Sequence, residues 1–165
     1  MSQLLFQETQ RFKQVWIWAI LVGVTGISIG TLLFIPSESS SSWSDKAIPV
    51  VLLLLVHVLF FSMNLRTRSD NHSISFRFFP FIRWREYSFD DIDALELIQY
   101  NGLLDYGGWG IKWNGESWCY TTGGKWGLRI RTKGKYFLLG THQPEQVQKV
   151  LERFSAYKSS KSASS

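Results

Sequence analysis

Gly127-Leu-Arg-Ile-Arg-Thr-Lys-Gly-Lys-Tyr-Phe-Leu-Leu-Gly140 alternates with a period of two up to a tight turn and continues beyond it as an apolar run. Leu128 and Ile130 fall on one face and Arg129 and Arg131 on the other, the pattern of a strand with one side in a core. Lys133-Gly134-Lys135 turns the chain, and Tyr136 to Leu139 pairs back, so the unit is a β-hairpin. Downstream, Pro144 suits a first helical turn, and Val147, Val150, Leu151 and Phe154 form one helical stripe. A single amphipathic helix therefore closes the chain's β region.

Reading upstream, Gly102 to Gly134 is dense in glycine and aromatics and predicts short strands with tight turns. Ile74, Phe76 and Phe78 alternate with Ser75 and Arg77, which predicts a half-buried strand, and Pro80 interrupts it. Arg83-Trp84-Arg85 reads as the return strand, with the indole inward and both guanidinium groups outward. Ser88-Phe-Asp-Asp91 has capping-box spacing and predicts a short helical turn before Ile92 enters the core, and Leu95 and Leu97 begin another strand. These elements define a β domain over residues 72–156. The Ser-rich segment after it, 157–165, is expected to be disordered.

At the other end lie two apolar stretches, Val15 to Ile35 and Ala47 to Met63. At about 1.5 Å per helical residue they span roughly 31 and 25 Å, which predicts a transmembrane helical hairpin over 15–63. Arg11 and Lys13 precede it and Arg66 and Arg68 follow it, while the Pro36 to Asp45 loop carries little positive charge. The positive-inside rule therefore sets both termini, with the N-terminal segment 1–14, in the cytoplasm. Trp16, Trp18 and Trp43 occupy interfacial positions. A cleaved signal peptide is the competing reading of the first stretch, but its apolar core is too long and no small-residue cleavage site follows. Gly23, Gly26 and Gly30 make a small-residue face for close helix packing, against either the second span or another subunit. His57 is the titratable group inside a span, within reach of Thr25 and Ser28, and reads as a packing residue. Residues 64–71 serve as a juxtamembrane linker.

Composition bounds the chemistry. Of 165 residues, the part from Arg66 onward carries fifteen Lys and Arg against ten Asp and Glu, so the net charge of +5 resides there. A basic domain beside a cytoplasmic leaflet attracts anionic lipid. No nucleic-acid recognition helix or RNA-binding aromatic motif accompanies the charge, so nucleic acid is not expected as a partner. The lone Cys119, in a Trp-Cys-Tyr strand, reads as a small core residue. His72 and His142 lack metal-ligand spacing, Asp90, Asp91 and Asp93 read as a cap and a solvated face, and Gly123-Gly124-Lys125 lacks phosphate-loop spacing. No catalytic residue, metal or cofactor is expected.

Taken together, the apolar hairpin, Ser-Phe-Asp-Asp-Ile, Tyr106-Gly-Gly-Trp-Gly-Ile-Lys112 and Leu-Arg-Ile-Arg through Leu-Leu-Gly-Thr-His-Gln-Pro-Glu-Gln resemble small bacterial membrane proteins with a pleckstrin-homology-like domain. The resemblance implies an α+β chain: a two-helix transmembrane hairpin, then a seven-stranded, two-sheet β sandwich or partial barrel capped by the C-terminal helix, at a bacterial inner membrane. It implies no catalytic residues. The expected function is a non-enzymatic interaction scaffold, binding protein or its own copies through Tyr106, Trp109, Trp113, Trp118 and Trp126. The alternative is an anionic headgroup sensor using Arg66, Arg68, Arg77, Arg83 and Arg85.

Overall fold

The chain is α+β, and its computed structural model describes residues 4–34 and 43–163. In order these form β1 (Leu4–Arg11), α1 (Val15–Phe34), α2 (Trp43–Ser62), β2 (Asn64–Asp70), β3 (Ser73–Phe79), β4 (Ile82–Ser88) and β5 (Ile92–Gln99). Then come α3 (Gly102–Tyr106), β6 (Gly110–Trp113), β7 (Trp118–Thr121), β8 (Trp126–Thr132), β9 (Lys135–Thr141) and α4 (Pro144–Ser162). Two compact units result: Met1–Phe12 with Asn64–Ser165, and Lys13–Met63 between them in sequence.

In the first unit the strands make two sheets, ordered β1-β2-β3-β4 and β5-β8-β9-β7-β6, antiparallel throughout except for the parallel β7–β9 pair. Lys133 and Gly134 have φ of 49° and 74°, the left-handed backbone of a two-residue turn whose twist matches its strands. The β8–β9 hairpin follows from it. Leu65, Ile74, Phe76 and Phe78 from one sheet and Leu128, Ile130, Phe137 and Leu139 from the other are buried, and Phe76 and Phe137 approach to 5.6 Å between ring centres. Leu138 points the opposite way into a smaller cluster with Tyr100 and Cys119, flanked by Ile98 and Tyr106. Burial of rings on this scale is the main term holding the sheets together. α4 packs on β1, β5 and β8, burying Val147, Val150 and Phe154.

Several expectations change. Among the described residues there are nine strands, not seven. The additional pair comes from segments read as an N-terminal tail and a linker: β1 pairs with β2 from Arg11 opposite Asn64 to Leu4 opposite Asp70. Glu8 and Gln10 face inward and are buried, which explains why apolar alternation did not reveal the strand. The Ser88–Asp91 segment is a turn, with Asp91 N–H donating to the Ser88 carbonyl at 3.0 Å, rather than a helical turn. Conversely, the glycine-rich region contains a helix, α3, whose first amides donate to the Asn101 side chain and which ends at Gly107 with φ of 67°. The tail is not irregular either, because α4 continues through Ser162 and Lys161 Nζ bonds Asp90 at 2.5 Å.

Trp84 also differs from its reading. A bulge in β4 sets Arg85, not Trp84, opposite Phe76, and Ile82 opposite Phe78. One extra residue reverses the alternation. The indole accordingly lies on the outer face, 39 % exposed.

In the second unit α1 contains one stretch, Val15–Leu32, long and apolar enough to cross a membrane, whereas Ala47–Ser62 in α2 is a shorter apolar helix. Trp18 meets Phe61 at 6.4 Å and Thr25 meets His57 at 3.4 Å, so the helices run antiparallel. The loop expected at Pro36 to Asp45 lies outside the described residues through position 42, and α2 then begins at Trp43. The Trp43 side chain likewise lies outside what is described.

Candidate functional site

α4 covers the side of the sandwich formed by β1 and β5, and the opposite side is left open between β4 and β7–β9. There β4 is an edge strand, with no further strand beyond it among the described residues. Beside it opens a cleft of about 450 Å³, lined by Arg85, Glu86 and Tyr87 of β4, Trp118 and Tyr120 of β7, Tyr136 and Phe137 of β9, and Lys133 and Lys135 of the hairpin turn, with Asp91 and Thr132. Arg85, Lys133 and Lys135 bring three cations to its lining, while the Glu86 carboxylate turns to the Ser73 hydroxyl at 2.8 Å. Tyr87 and Phe137 pack at 5.0 Å, and Trp118 stacks on Tyr120 at 6.4 Å. Tyr136 lies at the rim, 40 % exposed, with Arg129 and Arg131 over its ring at 5.6 and 5.4 Å. The site offers aromatic faces and positive charge in an open groove beside unpaired backbone.

The aromatic candidates divide. Trp113 and Trp118 are exposed, 51 % and 44 %, with rings 5.4 Å apart. Tyr106 is half-buried, bonded to Ser117 at 3.1 Å and set edge-on to Tyr100, while Trp109 lies over Gly102 and Trp126 is half-buried at the start of β8. Only the first two therefore belong to an open surface. Tyr87, Tyr120 and Tyr136 were missed, since they sit singly in separate strands and nothing but the pairing of those strands brings them together.

The arginine candidates divide as well. Arg85 lines the cleft and Arg83 is exposed on β4. Arg66, Arg68 and Arg77 lie on the outer face of the first sheet, with Arg66 directly opposite Arg77. Trp84 joins them, 4.3 Å beneath the Arg68 guanidinium and 5.5 Å from that of Arg77.

Groups that could suggest catalysis have structural partners. Burial pushes the Cys119 thiol up to about 12, which leaves it a poor nucleophile. Burial likewise raises the Tyr100 phenol to about 12 against the Thr121 hydroxyl that bonds it at 2.5 Å. Lys161 and Tyr157 bond Asp90 and lower its pKa. The Asp91 carbonyl accepts the Thr132 hydroxyl at 2.8 Å, and Asp93 accepts the Gly134 amide at 3.2 Å. His72 rests edge-on against Tyr157, and His142 donates its backbone amide to Glu8. Among the described residues no three His, Cys, Asp or Glu side chains converge as metal ligands do.

Within the helical unit, His57 donates Nδ1–H to the Leu53 carbonyl at 2.8 Å and turns Nε2 toward Thr25. A cavity of about 110 Å³ adjoins the pair, and Ser28 instead donates to the Val24 carbonyl. A Cβ added at Gly23, Gly26 or Gly30 would meet nothing within 4 Å, so the glycine face is not where α2 packs. No protein-family model, no curated protein and no solved structure matches this chain.

Proposed function

We propose that this protein is a non-enzymatic, membrane-anchored interaction module with a pleckstrin-homology-like domain, whose cleft beside β4 takes an acidic, extended segment of a partner protein. The observation that carries the reading is the open cleft of about 450 Å³ between the free edge of β4 and an aromatic wall whose Trp118 and Tyr136 rings are exposed. An added strand gains main-chain hydrogen bonds from β4, and alternate side chains gain contacts from Trp118 and Tyr136. Arg85, Lys133 and Lys135 select for acidic residues and against basic ones. The two sheets with a C-terminal helix support the resemblance in architecture, with two strands more than it implies.

Anchoring by a transmembrane hairpin is part of the same proposal. β1 and β2 pair side by side, so the chain must leave and re-enter the domain at one end of one sheet. An even number of crossings satisfies that constraint, and a single crossing does not. Cleavage after α1 would also remove β1, whose Phe6, Glu8 and Gln10 are buried. The shorter α2 is accommodated by local bilayer thinning, and Arg11, Lys13, Arg66 and Arg68 favour a cytoplasmic domain.

Site-specific photocrosslinking of the full chain in native membranes tests the cleft. Photoreactive residues at Trp118 and Tyr136 should capture protein, one at the exposed α4 position Lys149 should not, and Lys133→Glu with Lys135→Glu should weaken capture. Equal capture at all three positions, or none at the cleft, overturns the proposal.

A further inference from the structure

The outer face of the first sheet carries a row-by-row arrangement that the cleft does not use. Arg11, Asn64 and Phe79 stand opposite one another in the row nearest the helical insertion, and Thr9, Arg66 and Arg77 form an adjacent row. Like charges directly opposite on one face are unfavourable. Nevertheless, Arg66 and Arg77 have no ion-pair partner among the described residues, and the buried Nε of each has no hydrogen-bond partner. The acids of this face, Asp70 and Glu86, lie toward the far end of the strands and already accept bonds from Ser73. At the near end, the β3–β4 turn presents Phe79 and Phe81, 44 % and 58 % exposed, on either side of Pro80.

We infer that this end of the sheet is a second, peripheral membrane contact, with Phe79 and Phe81 in the interfacial layer and Arg11, Arg66 and Arg77 on anionic lipid headgroups. Two aromatic rings at the tip and uncompensated guanidinium groups just behind them have the composition of an interfacial element. Covalent reach supports the location. Asn64 is two residues from Ser62, the end of α2, and Phe79 lies one strand spacing, about 4.8 Å, from Asn64. The Arg68–Trp84 stack braces the face behind this row. The occupant follows from charge complementarity and from the anchor, and in this respect the inference rests on the membrane hairpin proposed above.

The test uses the full chain with Cys119→Ala and Phe81→Cys, labelled with an environment-sensitive fluorophore, in phosphatidylcholine vesicles with or without phosphatidylglycerol. With anionic lipid the label should shift to the blue and be quenched by bromines on the acyl chains, whereas a label at Lys149 should stay aqueous. Arg66→Gln with Arg77→Gln, which relieves a like-charge pair and so should preserve the fold, should lower the docked-to-free ratio roughly thirtyfold. Alkaline carbonate extraction distinguishes the two failures. Protein that resists extraction while its label at 81 stays aqueous in both vesicles overturns the peripheral contact and spares the anchor, whereas protein that is extracted overturns both.

Discussion

Glu8 illustrates what single residues do here. It is 4 % exposed, accepts the Thr141 hydroxyl at 2.7 Å through one oxygen and the His142 amide at 2.8 Å through the other, and so ties the first sheet to the end of the second. Gln10 repeats the tie from the same face, donating to the Gly140 carbonyl at 2.6 Å. Glu8→Gln turns one accepting oxygen into a donor facing a donor, and the expected loss is about 1–3 kcal/mol by urea unfolding in detergent. Cys119 and Tyr100 give a pH prediction. Their folded pKa values, each about 12, lie above the ordinary 9 and 10, so the folded chain holds both protons more tightly than the unfolded chain. The stability they contribute is complete below pH 9 and declines as the pH rises toward 12. Melting temperature should fall along that limb, less steeply in Cys119→Ala. At neutral pH the thiol should resist alkylation until the protein unfolds.

At the level of elements, legibility followed apolar periodicity. The β8–β9 hairpin and the α4 stripe could be read because their buried positions are Leu, Ile, Val and Phe at regular spacing. β1 and β2 could not, since their inward positions include the polar Glu8, Gln10, Thr67 and Ser69, of which Glu8 and Gln10 are held by bonds to distant segments and Ser69 by the nearby Ser73 carbonyl. The β4 bulge defeated the facing of Trp84 for a different reason: an extra residue is invisible to a count of alternation. The cleft was illegible for a third reason, because its walls come from β4, β7 and β9 and become neighbours only through pairing across the two sheets. The β1 strand has a direct consequence for the mature protein. Because it precedes α1 and pairs with β2, peptide mapping of the native protein should recover the Leu4–Arg11 segment still joined to α1. A species shortened through α1 would refute the strand's role.

For the whole molecule, the arrangement is a β domain whose first two strands are separated in sequence by the helical unit Lys13–Met63. The domain's own pairing does not require that insertion. Arg11 stands opposite Asn64, and Phe12 and Met63, the next residues outward, are both buried. Replacing residues 13–62 with Asn-Gly should therefore join β1 to β2 as a two-residue hairpin, whose left-handed turn residues suit the strand twist. Closing a short loop in place of a long one also lowers the entropy lost on folding. The resulting protein should be soluble without detergent, unfold cooperatively in urea and retain slow amide exchange in β8 and β9. Its cleft should remain competent, so the segment captured at Trp118 in membranes should also bind the excised domain. Aggregation or a non-cooperative transition would mean that the helical unit stabilises the β domain directly.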